Sequence, residues 1–165
     1  MYTCGNHKHV ISELLLVYNV VCNVTFRVIF YTNGGQPYMI IELDMSSDTP
    51  IYVQLRNQIV KGIGKGELKA NEKLPTVRQL AADAGVNTMT VNKTYQILKN
   101  EGFIRTDRRL GAFVADNIDM KEDFREKLES ELELLSAEAC ITGMDKETFL
   151  NMCSEVYSRM NPCTA

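Results

Sequence analysis

Residues 74–102 read "LPTVRQLAADAGVNTMTVNKTYQILKNEG", and this stretch predicts two short helices joined by a tight turn. Pro75 prevents a helix from continuing into the stretch from upstream. Thr76 and Gln79 form an S/T-x-x-E/Q capping box, which predicts that a helix begins here. Gly85 is expected to end it, because glycine adopts the left-handed conformation that closes a helix.

The second helix of this pair is predicted to bury only one of its faces. Asn87 can cap its first turn, and Gly102 provides its C-terminal stop. The side chains expected to face inward are Val91, Tyr95 and Leu98. Those left on the outer face are Thr88, Met89, Asn92 and Lys93. Small polar side chains and a cation, where a core helix would carry leucines, indicate a surface that meets a polar partner.

A third helix is predicted upstream, over "TPIYVQLRNQIVKGI". Asp48 or Thr49 is expected to be its N-cap, with Pro50 at the first helical position. Apolar residues recur every four positions and give one buried stripe, formed by Ile51, Leu55, Ile59 and Ile63. The glycines at 62, 64 and 66 are expected to end this helix.

The period changes after Gly102, where two short β-prone pieces, 103–106 and 112–115, flank a turn. The turn carries Arg108, Arg109 and Gly111. Three helices followed by a basic hairpin predict a winged helix-turn-helix, so the fold class is mainly α with a small β-wing.

The outer face of the helix between Asn87 and Gly102 suits the major groove of DNA, where side chains must be short and able to donate or accept hydrogen bonds. Thr88 and Thr90 lie at a helix N-terminus, whose free N–H groups attract phosphate. Arg78 can clamp a phosphate or reach a guanine, and Arg108 and Arg109 can follow the backbone or the minor groove.

Each of these residues also has a purely structural interpretation. Thr76, Asn87 and Thr90 can serve only as caps, and Arg78 and Lys93 can be solvated charges. What favours DNA binding is the order of features within about 65 residues: capped helix, short helix, glycine turn, polar-faced helix, glycine stop and basic hairpin.

Residues 48–116 resemble the DNA-binding domain of GntR-type bacterial transcription regulators, with the motif pieces in the family's order and spacing. The resemblance implies DNA contacts by Thr76, Arg78, Asn87, Thr88, Thr90 and Asn92, with Lys93 as a neighbour. Family wings read Gly-x-Gly-Thr-Phe-Val, whereas "RLGAFV" keeps Gly111 but has Arg109 for the first glycine and Ala112 for threonine. Many members carry arginine at the positions of Thr88 and Asn92, so base preference does not carry over.

The last 50 residues predict two amphipathic helices. The first carries Phe124, Leu128, Leu132 and Leu135 along one face and ends near Gly143. Asp145 starts the second, whose stripe is Phe149, Cys153, Val156 and Met160. Such short helices cannot enclose a metabolite-sized cavity, but their stripes suit packing against a second copy of the chain. The alternative is that they fold back on their own domain.

A short tail of this kind resembles the YtrA-like subgroup of the family, in which it implies dimerisation. Members of that subgroup often control nearby transporter genes. A homodimer would place two recognition helices about one DNA turn apart on a palindromic operator, and repression is favoured over activation. No feature of the tail identifies a small-molecule effector.

The charge is distributed unevenly along the chain. Residues 39–115 hold 11 Lys and Arg against 8 Asp and Glu, which gives +3, while residues 116–165 hold 5 against 12, which gives −7. The middle of the chain can therefore face a polyanion, whereas the tail is unsuited to contact DNA.

The sequence offers no cofactor or metal site. Cys4, Cys22 and Cys163 form no C-x-x-C pair with one another or with Cys140 and Cys153, which are expected to be small core residues. The two histidines, His7 and His9, lie far from the C-terminal cysteines, so a zinc site is not predicted. Reduced thiols indicate a cytoplasmic protein. The sequence shows neither a nucleophile paired with a general base nor a phosphate-binding loop, so an enzyme is not predicted.

The first 38 residues receive no function. Residues 10–31 are the most apolar run, but Glu13, Asn19, Asn23 and Arg27 interrupt it, so no membrane segment is predicted. Gly34-Gly35 precede Met39 at the spacing of an encoded ribosome-binding sequence, so Met39 is the expected start. The chain is thus divided into an N-terminal extension (1–38), a DNA-binding domain (39–116) and a dimerisation tail (117–165). The competing hypothesis is a winged-helix protein-interaction module that does not bind DNA.

Overall fold

The structure is a computed structural model that describes residues 25–31, 37–116 and 122–161. Its elements, in chain order, are β1 (Thr25–Tyr31), β2 (Pro37–Asp44), α1 (Ile51–Gly64), α2 (Val77–Asp83), α3 (Thr88–Glu101), β3 (Ile104–Asp107), β4 (Gly111–Val114), α4 (Glu122–Ile141) and α5 (Lys146–Ser158). The mainly helical winged-helix fold with two C-terminal helices is confirmed.

Strands β1 and β2 form an antiparallel hairpin in which Thr25 pairs with Asp44. Ile41 and Leu43 of β2 are fully buried, so this strand contributes to the same core as the helices. The hairpin spans the boundary predicted between residues 38 and 39, and the division into domains stays a prediction. Residues 10–24 of the apolar run lie outside the described part, and no helix within that part is long and apolar enough to cross a membrane.

Two glutamines one helical turn apart join α1 to β2. Gln54 Nε2 donates to the carbonyl oxygens of Asp44 at 2.8 Å and Thr49 at 2.7 Å, and its Oε1 accepts from the Asp44 N–H at 2.9 Å. Gln58 Nε2 donates to the Glu42 carbonyl oxygen at 3.2 Å. These bonds tie α1 to the backbone of β2 and of the turn between them.

The predicted start of α1 was wrong by one position. Pro50 is the N-cap rather than the first helical residue, and neither Asp48 nor Thr49 caps the helix with its side chain. The ψ of Pro50 is 141°, outside the helical range, while its carbonyl oxygen accepts from the N–H groups of Val53 and Gln54. The hydrogen bond from Gln54 to the Thr49 carbonyl holds the chain extended up to Pro50.

Helices α2 and α3 begin and end as predicted. After α2, the N–H of Val86 donates to the Ala81 carbonyl oxygen at 3.0 Å and that of Gly85 to Ala82 at 3.3 Å. This pattern is a Schellman motif, and it requires the left-handed conformation that Gly85 adopts with φ 62°. The tight turn sets α3 across α2 in the helix-turn-helix arrangement.

Strands β3 and β4 form the wing, each displaced by one residue from the predicted strand. Ile104 pairs with Val114 and Asp107 with Gly111. The segment before α2 extends this sheet, because the Leu74 N–H donates to the Ala112 carbonyl oxygen at 2.9 Å. The wing is therefore attached to the start of the helix-turn-helix by backbone hydrogen bonds.

A single apolar core lies between β2, the three N-terminal helices and the wing. Its most buried large side chains are Ile41, Leu43, Leu55, Leu80, Val91, Leu98 and Val114. None of the described side chains of α4 and α5 belongs to it.

The tail helices therefore present their apolar side chains to solvent. Asp145 caps α5 by accepting from the Thr148 N–H at 2.9 Å, and this bond lowers the pKa of its carboxyl. Cys140 and Cys153 are exposed, so the prediction that they are core residues was wrong. Both lie on helices whose described side chains take no part in the buried core.

Candidate nucleic-acid interface

Two side chains of α3 hold the three N-terminal helices in a fixed arrangement. The Thr94 hydroxyl lies 3.1 Å from the Thr90 carbonyl oxygen and 3.2 Å from that of Tyr52 on α1. The Tyr95 hydroxyl donates to the Pro75 carbonyl oxygen at 2.8 Å, just before α2 begins. One helix thus positions both the start of α2 and the face of α1 that borders it.

The start of α2 presents Thr76 and Arg78. Thr76 Oγ1 accepts from the Gln79 N–H at 3.2 Å, so the predicted cap forms. The Arg78 side chain is exposed, and it forms no ion pair with any residue that the structure describes. An unpaired guanidinium beside a helix N-terminus is suited to binding phosphate or a guanine edge.

The first turns of α3 place most of the predicted contact residues on one exposed surface. Asn87 Oδ1 accepts from the Met89 N–H at 2.8 Å, which caps the helix. Thr88 and Asn92 are exposed, whereas Thr90 is half-buried beside Thr94. Asn92 therefore has its amide free to meet a base edge, while the hydroxyl of Thr90 is the least accessible of the predicted set.

Lys93 is exposed, but its ammonium group has a defined neighbour. Its Nζ lies 3.6 Å from the centroid of the Tyr52 ring, a cation–π geometry. The ring restricts where the charge can lie, at the border between α1 and α3. Lys93 therefore adds a positive charge at that border.

The turn of the wing is held by Asp107. Its Oδ1 accepts from the N–H groups of Leu110 at 2.8 Å and Arg109 at 2.7 Å, and these bonds lower the pKa of the carboxyl. Gly111 has φ +100°, which a residue with a side chain rarely adopts. Arg108 and Arg109 remain exposed at the tip.

Sequence reasoning missed two further cations at the wing. Arg105 on β3 hydrogen-bonds to Asn71 Oδ1 and lies 5.7 Å from the centroid of the Phe113 ring. Lys73 runs along the wing, with its Cε 3.7 Å from where a Cβ on Gly111 would be. The run of polar residues that follows Ile104 in β3 could have indicated that Arg105 is exposed, but the approach of Lys73 depends on the pairing of its segment with β4.

The predicted dimerisation residues are largely accessible. Six of the seven are exposed: four apolar side chains on α4 (Phe124, Leu128, Leu132 and Leu135) and, on α5, the Cys153 thiol and Val156. The seventh, Phe149, is half-buried. The end of α5 does touch its own domain, because the Asn161 N–H donates to the Gly64 carbonyl oxygen at 2.8 Å.

Comparison with known sequences identifies one family and two relatives that match over most of their own length. The family described as bacterial regulatory proteins, gntR family, matches residues 51–114. The HTH-type transcriptional repressor YtrA of Bacillus subtilis is 33% identical over 118 residues, which cover 70% of this chain and 91% of the relative. The HTH-type regulator YhcF of the same organism is 33% identical over 105 residues, 63% of this chain and 87% of the relative.

Solved structures give the same picture. YtrA from Sulfolobus acidocaldarius, a GntR-family transcription factor, is 41% identical with a TM-score of 0.50, covering 59% of this chain and 97% of that one. A transcriptional antiterminator from Listeria monocytogenes is 28% identical with a TM-score of 0.64, covering 69% of this chain and 87% of that one. In both, the similarity extends over most of the compared protein.

Proposed function

The chain belongs to the GntR family of bacterial regulatory proteins, and we propose that it is a repressor that binds a palindromic operator as a homodimer. Members of this family are DNA-binding transcription regulators and not enzymes. The chain is expected to act in the cytoplasm, where bacterial DNA lies.

The observation that carries the proposal is the set of exposed polar and basic side chains at the start of α2 (Arg78), on the outer face of α3 and at the wing. Arg78 and Asn92 are exposed, and Asn87 caps α3 by accepting from the Met89 N–H, with Thr88 exposed on the same first turn. Lys93 adds a cation on α3 itself, and Arg108 and Arg109 add two at the tip of the wing. A recognition helix flanked by cations is what groove binding requires, since phosphate contacts position the protein and base contacts select the sequence.

The tail supports the homodimer. Leu128 and Leu132 are 42% and 40% exposed, in line with Phe124 and Leu135 on the same face of α4. An isolated helix gains little stability from its backbone alone, and exposed apolar stripes mark surfaces that meet a partner. Phe124 and Leu128 also line a groove of 660 Å³ against α1 and α3, so the apolar surface continues onto the DNA-binding domain.

We expect the stripe on α4 to pack against a second copy of the chain, because the two-fold symmetry of a homodimer is the symmetry of a palindromic operator. Two recognition helices related by a dyad read two half-sites one DNA turn apart. The −7 charge of residues 116–165 keeps the tail away from phosphate, which leaves the wing and α3 as the DNA-binding side.

The test is a fluorescence titration of the full-length chain against duplexes from the region preceding its own gene, at several salt concentrations. We expect one duplex to bind in preference to the others, with an affinity that falls steeply as salt rises, because bound phosphates release counterions. Two chains should bind each operator, and a duplex with only one half-site should bind much more weakly. Equal affinity for all duplexes, or affinity that ignores salt, would contradict the proposal.

Substitution of Arg78 tests the assignment of the DNA-binding surface. Arg78→Ala should weaken operator binding roughly tenfold to a hundredfold, corresponding to about 1–3 kcal/mol, while circular dichroism and the dimer mass stay unchanged. Lys61→Ala is the matched control, since Lys61 is an exposed cation in the last turn of α1, a helix that contributes none of the proposed DNA-contacting residues. Equal effects of the two variants would contradict the assignment.

The second candidate function, a protein-interaction module without DNA binding, makes the opposite prediction. It requires no operator affinity and a stable complex with a different protein. The exposed face of α3 weighs against it, because Asn92 and Lys93 provide few apolar atoms for a protein interface core.

By its resemblance to the YtrA-like subgroup, the chain is proposed to control transporter genes. Mapping where the chain binds in the genome would identify the genes that it controls.

A further inference from the structure

Met89 is an exposed apolar side chain in the middle of the proposed DNA-binding surface. It is 70% exposed on the first turn of α3, more than any other large apolar side chain described in the DNA-binding domain. Neither the core nor the tail stripe accounts for it. A side chain this exposed buries little apolar surface when the single chain folds.

The surroundings of Met89 are polar and its backbone is fixed. Asn87 Oδ1 accepts from its N–H at 2.8 Å, and Val91 and Thr94 bury the opposite side of the helix. Asn92 and Lys93, three and four residues on, are its neighbours on the helix surface. The side chain is thus held beside an amide and a cation, rather than within an apolar patch that would suit a protein partner.

The major groove offers one apolar group to such a side chain. Thymine carries a C5-methyl group there, while the other base edges present hydrogen-bond donors and acceptors. Methionine is long, unbranched and adaptable, so its thioether can reach a groove floor that shorter side chains do not. A helix that enters the groove with its N-terminal turn would bring Met89 to the base edges.

We propose that Met89 is a specificity-determining residue that recognises thymine by packing against its C5-methyl group, at one position in each operator half-site. This inference rests on the proposed function, because it needs α3 to enter the major groove. It accounts for an exposed apolar residue on the outer face of α3, whose other exposed side chains named above are polar or basic.

The experiment removes only the methyl group. An operator is first selected by the full-length chain from a pool of random duplexes, and each thymine is then replaced by deoxyuridine. We expect one thymine in each half-site to matter, with a loss of about fourfold in affinity for each methyl group, the value for burying one such group. Replacement at the remaining thymines should have little effect.

Variants of the chain then connect the effect to Met89. Met89→Ala and Met89→Gln should bind the thymine and deoxyuridine operators equally, because neither packs the same apolar group against the methyl. Met45→Ala is the control, since Met45 is an exposed methionine in the turn before α1, and it should retain the fourfold difference. Circular dichroism verifies that all variants are folded.

The outcomes separate this inference from the function on which it rests. If the chain selects no duplex, both fail. If it selects an operator with salt-dependent affinity but no thymine methyl matters, or if Met89→Ala keeps the full difference, the role of Met89 is overturned and the proposed function stands.

Discussion

At the scale of the residue, Thr94 is the buried polar side chain among those described, and its hydroxyl links α3 to α1. Thr94→Val keeps the shape and removes the hydroxyl, so it should lower the free energy of unfolding by about 1 kcal/mol, the usual net value of a hydrogen bond. Urea denaturation followed by circular dichroism measures this. Thr88→Val, at an exposed position of α3, is the control and should change stability far less. Equal stability of Thr94→Val and the native chain would show that the bond contributes nothing.

At the scale of the element, the wing depends on the two N–H groups that donate to Asp107. Asp107→Ala removes both bonds, and the less ordered wing should weaken operator binding roughly threefold to tenfold, because Arg109 must then be immobilised on binding. The carboxyl has a pKa below its ordinary value of 3.8, so its contribution to stability is complete above that pH and is lost as pH falls through the lowered pKa. Amide hydrogen exchange of Arg109 and Leu110 checks the turn directly. Exchange as slow in Asp107→Ala as in the native chain would contradict this account.

At the scale of the whole molecule, the tail couples oligomeric state to DNA binding. Leu128→Glu combined with Leu132→Glu places charges in the apolar stripe, so the mass in solution should fall from twice 18.7 kDa to 18.7 kDa. Operator affinity should fall with it, while affinity for a single half-site stays the same. Light scattering coupled to gel filtration measures the mass. Ser130→Glu adds a charge to an exposed position off the stripe and should leave the dimer intact. A native chain that is already monomeric would contradict the homodimer.

The elements with local signals could be predicted closely from the sequence. The cap at Thr76, the turn at Gly85 and the stop at Gly102 depend on residues within a few positions of one another. The start of α1 was predicted one residue away from where it lies. A distant contact decides it, because Gln54 holds the chain extended through its bonds to Asp44 and Thr49.

The candidate site could be predicted in outline. The outward position of Thr88 and Asn92 follows from helical spacing, as does the exposed position of Met89. The cation–π contact of Lys93 with Tyr52 and the approach of Lys73 to the wing could not be predicted, since each joins residues from separate elements. Whether the predicted residues touch DNA stays a prediction that the operator titrations test.

The sequence by itself determined the helix boundaries set by caps and glycines, the polar outer face of α3 and the separation of charge between the DNA-binding domain and the tail. These features depend on local backbone chemistry and residue order. Only the tertiary structure decided which apolar side chains are buried: it placed Ile41 and Leu43 in the core and left Cys140 and Cys153 exposed. The physical reason is that an apolar residue is buried only where another element covers it, and periodicity reveals the face of a helix but not what packs against that face.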